Sequence, residues 1–395
     1  MKVLICYSRI TPRLAARVEC LARLVPEIVA LSLADAEDAY PWWQGCAWLH
    51  GVRHDTLLNG AIDRLPAGML KASVRQYVER ERPTIAVIAG YNLSALRYLA
   101  KSVKRQGGKT VLVAVTWAAD RRRFFVKETL KGWLVRSLFD AVCVGGERSR
   151  SYFMSLGFRQ YQLWKCFNVV DNKHFAEGAE QARKHDPELR IRLGLPERFF
   201  LFVGALEPWK NPEFLLECYA RYRAGGGSWG LVFVGTGSLE SALREKVSGQ
   251  RLPDVMFAGM KRHEQTPMFY GLGSCLILPS LSETWGLVVN EAEAAGLPVL
   301  VSDRCGCVPE LVHRGINGYV FEPRDADTLI LQMHLVSGGV LDLAAMGRAS
   351  AEIVSYYTPE RWACVLADCV RYLRGARSGC GETRSSDLRM GTRAR

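Results

Sequence analysis

With 395 residues, 49% hydrophobic and 23% charged, the chain has an ordinary soluble composition, can bury a large core and has the length of about two domains. No run reaches the roughly 18 apolar residues of a membrane span, and the start MKVLICYSR meets Arg9 too early for a signal peptide, so it reads as a first strand and a cytoplasmic location is expected. The net charge of +12 sits in the first half: residues 1–200 hold 32 Lys and Arg against 19 acids, and residues 101–150 hold 12 against 4, so a polyanion or an anionic membrane surface is the natural partner of that face.

From residue 1 to about 180, the apolar runs VLICYS, EIVALSL, TIAVIAG, TVLVAV and DAVCVGG alternate with helical stretches. This pattern predicts a parallel sheet covered on both faces. PWWQGCAWLHG (Pro41–Gly51) interrupts it and reads either as a surface excursion or as a partly buried loop. In RRRFFVKETLKGWLVRSLF (Arg121–Phe139), Val126, Leu130, Trp133, Leu134 and Leu138 recur at helical spacing, while Arg123, Lys127 and Lys131 occupy another face. Two readings stand: an interfacial helix on an anionic membrane, or a domain helix whose apolar face packs on the sheet.

The second half repeats a strand, glycine loop, helix plan. In RFFLFVGALEPWKNPEF, Phe199–Val203 reads as a strand, Gly204 permits a tight turn, and Asn211 with Pro212 starts a helix, which sets Lys210 at the mouth of a crevice. GLVFVGTGSLESAL and DVMFAGMKRHE repeat the plan. CLILPS then reads as a buried strand leading into SETWGLVVNEAEAAGLPVLVSD, where a helix over Leu287–Ala295 stops at Gly296 and Pro298. The loop and helix start offer backbone N–H groups to a phosphate, and Gly286 leaves the backbone open to close approach. Glu283 and Glu291 flank that loop, and each carboxylate can accept hydrogen bonds from vicinal hydroxyls. The twelve cysteines are scattered in apolar contexts and read as free thiols; Cys305 and Cys307 lack the partners of a zinc site, so no metal is expected.

Together, the loop after Gly204, the paired glutamates and RCGCVPELVHRGINGYVFEP resemble a retaining glycosyltransferase of family 4, a group 1 glycosyltransferase with the two-domain GT-B fold. The resemblance implies an α/β protein of two Rossmann-like, doubly wound domains facing a cleft. Residues 1–180 would bind the acceptor and 181–356 the nucleotide sugar, 357–375 would return as a helix to the first domain, and 376–395 would be a disordered basic tail. It implies that Glu283 contacts the donor sugar, that the Trp285–Gly286–Leu287 backbone lies beside sugar and diphosphate, that Glu291 grips the ribose, and that Lys210 neutralises the departing diphosphate. Gly204 belongs to the same site, and Gly259 and Met260 would lie near the base.

The chain departs from the family pattern at Ala205 and Trp209, where an arginine is usual; Arg9 or Arg13 of the first loop are candidates to replace it. It departs again at Cys307, read as a tolerated small residue, and near the fifth strand, where a histidine is usual and Trp117 and Asp120 stand instead; Asp120 is a candidate, although an acid beside three arginines is more often a solvated ion pair. The implied reaction takes a sugar from a UDP- or GDP-linked donor to a hydroxyl of a glycan or lipid-linked acceptor. It has no obligatory cofactor and runs in the cytoplasm, with the inner face of the membrane as a candidate peripheral surface. A UDP-sugar 2-epimerase of the same architecture and a non-catalytic polyanion binder are the alternatives. Nucleic acid is not expected as a partner, because Trp and Phe fall in apolar stripes and not as platforms among basic residues.

Overall fold

The structure, a computed structural model, describes residues 2–37, 49–120 and 123–375, with the side chains of Pro12, Arg13 and Phe125 excepted. The expected tail, Arg121, Arg122 and most of the Pro41–Gly51 stretch lie outside the described residues. Seven strands form the first sheet: β1 (Val3–Tyr7), β2 (Ile28–Ala36), β3 (Arg53–Ala61), β4 (Ile85–Ala89), β5 (Lys109–Ala114), β6 (Ala141–Val144) and β7 (Leu163–Lys165). Six form the second: β8 (Phe199–Val203), β9 (Gly230–Val234), β10 (Val255–Gly259), β11 (Cys275–Leu278), β12 (Val299–Ser302) and β13 (Gly318–Phe321). Their orders are β3-β2-β1-β4-β5-β6-β7 and β10-β9-β8-β11-β12-β13, with parallel pairing throughout.

Each sheet carries a core on both faces, because successive side chains of a strand point to opposite sides. Phe199, Leu201 and Val203 of β8 enter one cluster, and Phe200 and Phe202 enter the other. Leu4 and Cys6 of β1 likewise separate from Val3, Ile5 and Tyr7. The chain leaves the first sheet after β7, and in the helix Asn172–Lys184 the residues Phe175, Ala179 and Ala182 already belong to a core of the second. The last helix, Pro359–Leu373, buries Trp362, Leu366 and Cys369 against β1 and β6 of the first sheet.

In both sheets the strand order reverses beside the first strand of the domain, between β1 and β4 and between β8 and β11. Loops leaving the C-terminal ends of those strands diverge around a crevice, the usual ligand position in such folds. Because β8 pairs with β11, the loops after them are neighbours although 73 residues separate Lys210 from Glu283.

The helix of the basic segment spans Phe125–Leu138 and does not lie with its apolar stripe on the sheet. Val135 and Leu138 face inward, whereas Val126, Leu130 and Trp133 are 68%, 65% and 66% exposed and Leu134 is partly exposed. Gly132 explains the orientation: a Cβ there would stand 2.7 Å from the Leu156 carbonyl oxygen, so the helix is seated by its narrowest point on the Leu156 turn. The Arg136 guanidinium donates to that same carbonyl. Trp133, within the apolar stripe, and Phe124 are therefore exposed aromatics close to basic residues.

Candidate active site

Lys210 closes a single 3-10 turn, Pro208–Lys210, after β8. The next residue, Asn211, takes the left-handed conformation at φ 61° and its Nδ2 donates to the carbonyls of Pro279 (3.2 Å) and Pro323 (2.9 Å). Asn is among the few residues that tolerate this backbone and can also bridge loops with its amide. The Leu281 N–H donates to the Trp209 carbonyl at 2.9 Å, which ties the lysine turn to the loop after β11. Across this join Lys210 Nζ and Glu283 Oε2 form an ion pair, with side chains 17% and 16% exposed.

The Glu283 loop is fastened on its other side by the turn after β12. Gly306 N–H donates to the Glu283 carbonyl (3.2 Å), Cys307 N–H to the Trp285 carbonyl (3.0 Å), and Glu283 N–H to the Arg304 carbonyl (3.2 Å). A Cβ on Gly306 would lie 2.0 Å from the Thr284 oxygen, so only glycine fits that contact. Cys307, at φ −76°, needs no glycine; its buried sulfur would stand 3.5 Å from a Cβ on Gly286. Gly286 itself lies at φ 103° and opens the helix Leu287–Ala294.

The tryptophan of this loop turns inward. Trp285 is buried and its Nε1 donates to Asn290 Oδ1 at 2.8 Å, while Asn290 Nδ2 reaches the Asn168 carbonyl of the crossing segment at 3.3 Å. Glu291 is fully buried one turn along the helix and accepts from the Tyr270 hydroxyl at 2.6 Å. Leu287 is half-buried and Met260 exposed. Gly259 ends β10 at φ 72° with open space at its Cβ position, and Gly204 turns at φ 156° after β8.

The first domain touches this loop directly. Trp117 Nε1 donates to the Glu283 carbonyl at 2.9 Å, and Ser282 Oγ donates to the Asp120 carbonyl. Arg148 stacks on the Trp117 ring at 4.6 Å and donates to the carbonyls of Asp303 (2.6 Å) and Cys305 (2.9 Å). Gly146 packs on Trp285 and Glu310: a Cβ there would stand 2.7 Å from each. Glu310 accepts from the Glu147 N–H at 2.5 Å, capping the helix Glu147–Ser155 from the opposite domain. Burial is the main cause that pushes the Glu310 carboxyl up to about 7, aided by Glu147 and opposed by that N–H and by Lys165 and Arg148.

Of the first-domain candidates, Asp120 is buried, pairs with Arg123 and accepts from Thr116 Oγ1 and the Trp117 N–H, so it is an internal ion pair that shapes the Trp117 loop and not a solvated one. Arg9 is buried in the loop after β1, close enough for its charge to act on Glu37. The Arg13 side chain lies outside the described residues. Trp209 is 52% exposed. Arg148 is a first-domain cation that reaches the turn beside the Glu283 loop, and its charge acts on the buried Cys305 thiol together with those of Glu283 and Lys210. Arg148, Glu310 and Asn290 were not singled out from sequence; Gly145-Gly146 directly after the β6 run is the signal that a loop there approaches another backbone closely.

Residues 186–337 match the family model of group 1 glycosyl transferases. Similar curated proteins include the sulfoquinovosyl transferase SQD2 of Arabidopsis thaliana, 29% identical over 204 residues, which are 50% of this chain and 37% of that protein. Another is the D-inositol 3-phosphate glycosyltransferase of Mycolicibacterium smegmatis, 31% identical over 204 residues, 48% of this chain and 42% of the relative. The match thus spans less than half the length of these relatives. Among solved structures, HepE of Anabaena in complex with UDP superposes with a TM-score of 0.73 at 17% identity, covering 94% of this chain and 100% of that one. A sucrose-phosphate synthase of Thermosynechococcus elongatus gives 0.73 at 16% identity, covering 95% and 100%. The chain therefore has the GT-B fold, and within it the second domain matches the group 1 glycosyl transferases.

Proposed function

We propose that the protein is a retaining glycosyltransferase of family 4 type, moving a sugar from a nucleoside diphosphate sugar to a hydroxyl of a glycan or lipid-linked acceptor in surface polysaccharide or glycoconjugate synthesis. The observation that carries this is the Lys210–Glu283 pair at the crevice, set beside the free backbone of the Gly286 turn. An ammonium has three donor hydrogens, so Lys210 serves Glu283 and a phosphate oxygen together. As the sugar leaves, negative charge grows on the diphosphate, and Lys210 with the N-terminal end of the Leu287–Ala294 helix stabilises it where it develops.

Glu283 orients the sugar through its hydroxyls and, by holding Lys210, fixes the cation in place. Glu291 takes the ribose, with Gly204, Gly259 and Met260 around the nucleotide. The Trp117, Arg148 and Glu310 contacts hold the first domain over the loop, which keeps water from hydrolysing the donor sugar and brings the acceptor to it. Two solved proteins of this fold carry uridine compounds: HepE was crystallised with UDP and with UDP-glucose, and an Escherichia coli protein with UDP-2-fluoro glucose. The UDP series is accordingly the first to test. Residues 1–180, 181–356 and 357–375 serve as acceptor domain, nucleotide domain and returning helix, and the basic first domain works at an anionic membrane face.

Proton NMR of the reaction with UDP-glucose and a simple acceptor such as a hexose or a lipid-linked hexose decides the reading. An α-linked product from the α-linked donor fits it; a β-linked product refutes retention. A new sugar nucleotide formed from donor alone would instead make the protein an epimerase.

A further inference from the structure

We propose that the outer face of the Phe125–Leu138 helix, with the pocket beside it, is a docking site for an anionic lipid bilayer: the pocket holds one lipid phosphate and the apolar stripe enters the boundary between headgroups and acyl chains. The benefit of docking to catalysis rests on the lipid-linked acceptor named above; the docking itself does not.

The stripe is unusual for a helix of a soluble domain. Val126, Leu130 and Trp133 are each about two-thirds exposed and Phe124 is 65% exposed, whereas the face that holds the helix to its domain is the narrow one of Gly132 and Val135. An exposed run of this kind marks an interaction surface. Beside it lies a pocket of about 600 Å³ between this helix and the loop after β4, with Arg97, Arg123, Lys127, Lys131 and the single carboxylate Glu128, which is paired with Arg123 and Lys131, on its polar side and Leu130 on its apolar side. Lys127 is exposed, and Lys131 sits 2.5 Å from Glu128 and 2.6 Å from the Tyr152 hydroxyl, so its ammonium is held at a fixed point of the wall. In sequence, Arg121 and Arg122 precede the same helix.

A ligand for this surface must offer an anion and an apolar phase at once. An anionic bilayer does so: basic residues gain from its surface potential while Trp and Leu enter the interface. A second copy of the chain fits badly, because joining two stripes would bring two basic walls together within a protein of net charge +12. A single-stranded nucleic acid would use Phe124, Trp133 and the basic residues but leave Val126, Leu130 and Leu134 without a partner.

The test is co-sedimentation of the full chain with phosphatidylcholine vesicles, with and without phosphatidylglycerol, at low and high salt, beside Lys127→Gln and the double variant Leu130→Ser with Trp133→Ser. Circular dichroism melts check that the variants, all at exposed positions, remain folded. Binding is expected only with phosphatidylglycerol, weakening as salt rises. Lys127→Gln should lower the partition coefficient roughly fivefold, and the double variant on the order of tenfold to a hundredfold. Equal binding to neutral vesicles, no sedimentation with either, or undiminished binding by the double variant would each overturn the proposal. So would binding to polyuridylate as tight as to vesicles and lost in the double variant, which would make the surface a nucleic-acid site. Sedimentation needs no nucleotide, so a chain that docks but transfers no sugar would refute the enzymatic reading alone, and one that transfers but does not dock would refute this proposal and the membrane placement of the first domain while leaving the sugar transfer standing.

Discussion

Trp117→Phe tests whether the first domain governs the Glu283 loop. The substitution removes the Nε1–H that donates to the Glu283 carbonyl at 2.9 Å and keeps an aromatic face under Arg148. The carbonyl is not orphaned, because the Gly306 N–H still donates to it at 3.2 Å. The loss is therefore that of one net hydrogen bond, about 1 kcal/mol, and not the larger penalty of a stranded buried acceptor. A shift of about 1 kcal/mol weakens the domain contact roughly fivefold. Trp117→Ala also removes a buried ring and the seat of Arg148, a loss of about 3–5 kcal/mol that raises the effect beyond a hundredfold. Transfer from UDP-glucose to acceptor should fall from the parent chain to Trp117→Phe to Trp117→Ala, with hydrolysis rising as a share of the UDP released, while UDP affinity measured by calorimetry should not change, since the ligands proposed for it lie in the second domain. Small-angle scattering should show a larger radius of gyration in Trp117→Ala. A loss of UDP affinity in Trp117→Phe with unchanged scattering would refute the reasoning, because Trp117 would then act on the nucleotide itself.

Three other outcomes follow from single residues. Glu293 is fully buried, accepts from Asn317 Nδ2 at 3.0 Å, and burial holds its pKa well above the usual carboxylate range. The folded chain thus keeps a proton that the unfolded chain releases, and stability falls as pH rises past the unfolded value of about 4.5. Glu293→Gln should raise the melting temperature by an amount that grows between about pH 4 and 7; a constant or negative difference would contradict this. Glu310, with a carboxyl raised from 4.5 to about 7, binds a proton more tightly in the domain contact than apart from it. The contact should be strongest below 4.5 and weaken as pH rises to about 7, and Glu310→Gln, which keeps an acceptor for Glu147 N–H, should abolish that dependence in scattering measured across the same range. Gly306→Ala forces its Cβ against the Thr284 carbonyl, so the Glu283 loop must move; nucleotide-induced stabilisation should vanish, with about 1–3 kcal/mol lost from unfolding stability in denaturant titrations.

The second domain was readable because each of its units is local. β8, β11 and β12 are short apolar runs, the first two ending at Gly204 and Pro279 and the third opening just after Pro298, and parallel strands buried on both faces leave that mark in sequence. β3 left none: RHDTLLNGA is polar, with mostly half-exposed side chains, and it joins the sheet at an edge where one neighbour, β2, supplies its pairing. β7, three residues long, was equally silent. The Phe125–Leu138 helix was legible as a helix, but its orientation was not. Periodicity marks the apolar stripe, and the choice of buried face came from Gly132 meeting the Leu156 carbonyl, a contact 24 positions away in sequence. The same holds at the site. Lys210 and Glu283 each followed from their own loops, whereas their pairing depends on β8 lying beside β11. Arg148, Glu310 and the Trp117 hydrogen bond exist only because one domain meets the other, and no spacing within the chain encodes them.

The most direct test of the account is a calorimetric and thermal-shift titration of the purified chain with UDP, GDP, ADP, the matching monophosphates and common nucleotide sugars, beside Lys210→Ala and Glu291→Ala. One diphosphate series should stabilise the protein selectively. Lys210→Ala should lower affinity for that diphosphate about tenfold to a hundredfold, the loss of one charge-assisted hydrogen bond, and leave the monophosphate nearly unaffected. Glu291→Ala should weaken both alike. A chain whose melting temperature responds to none of these nucleotides, or a Lys210→Ala variant that binds the diphosphate as tightly as the original, would contradict the assignment of this crevice to a nucleotide sugar.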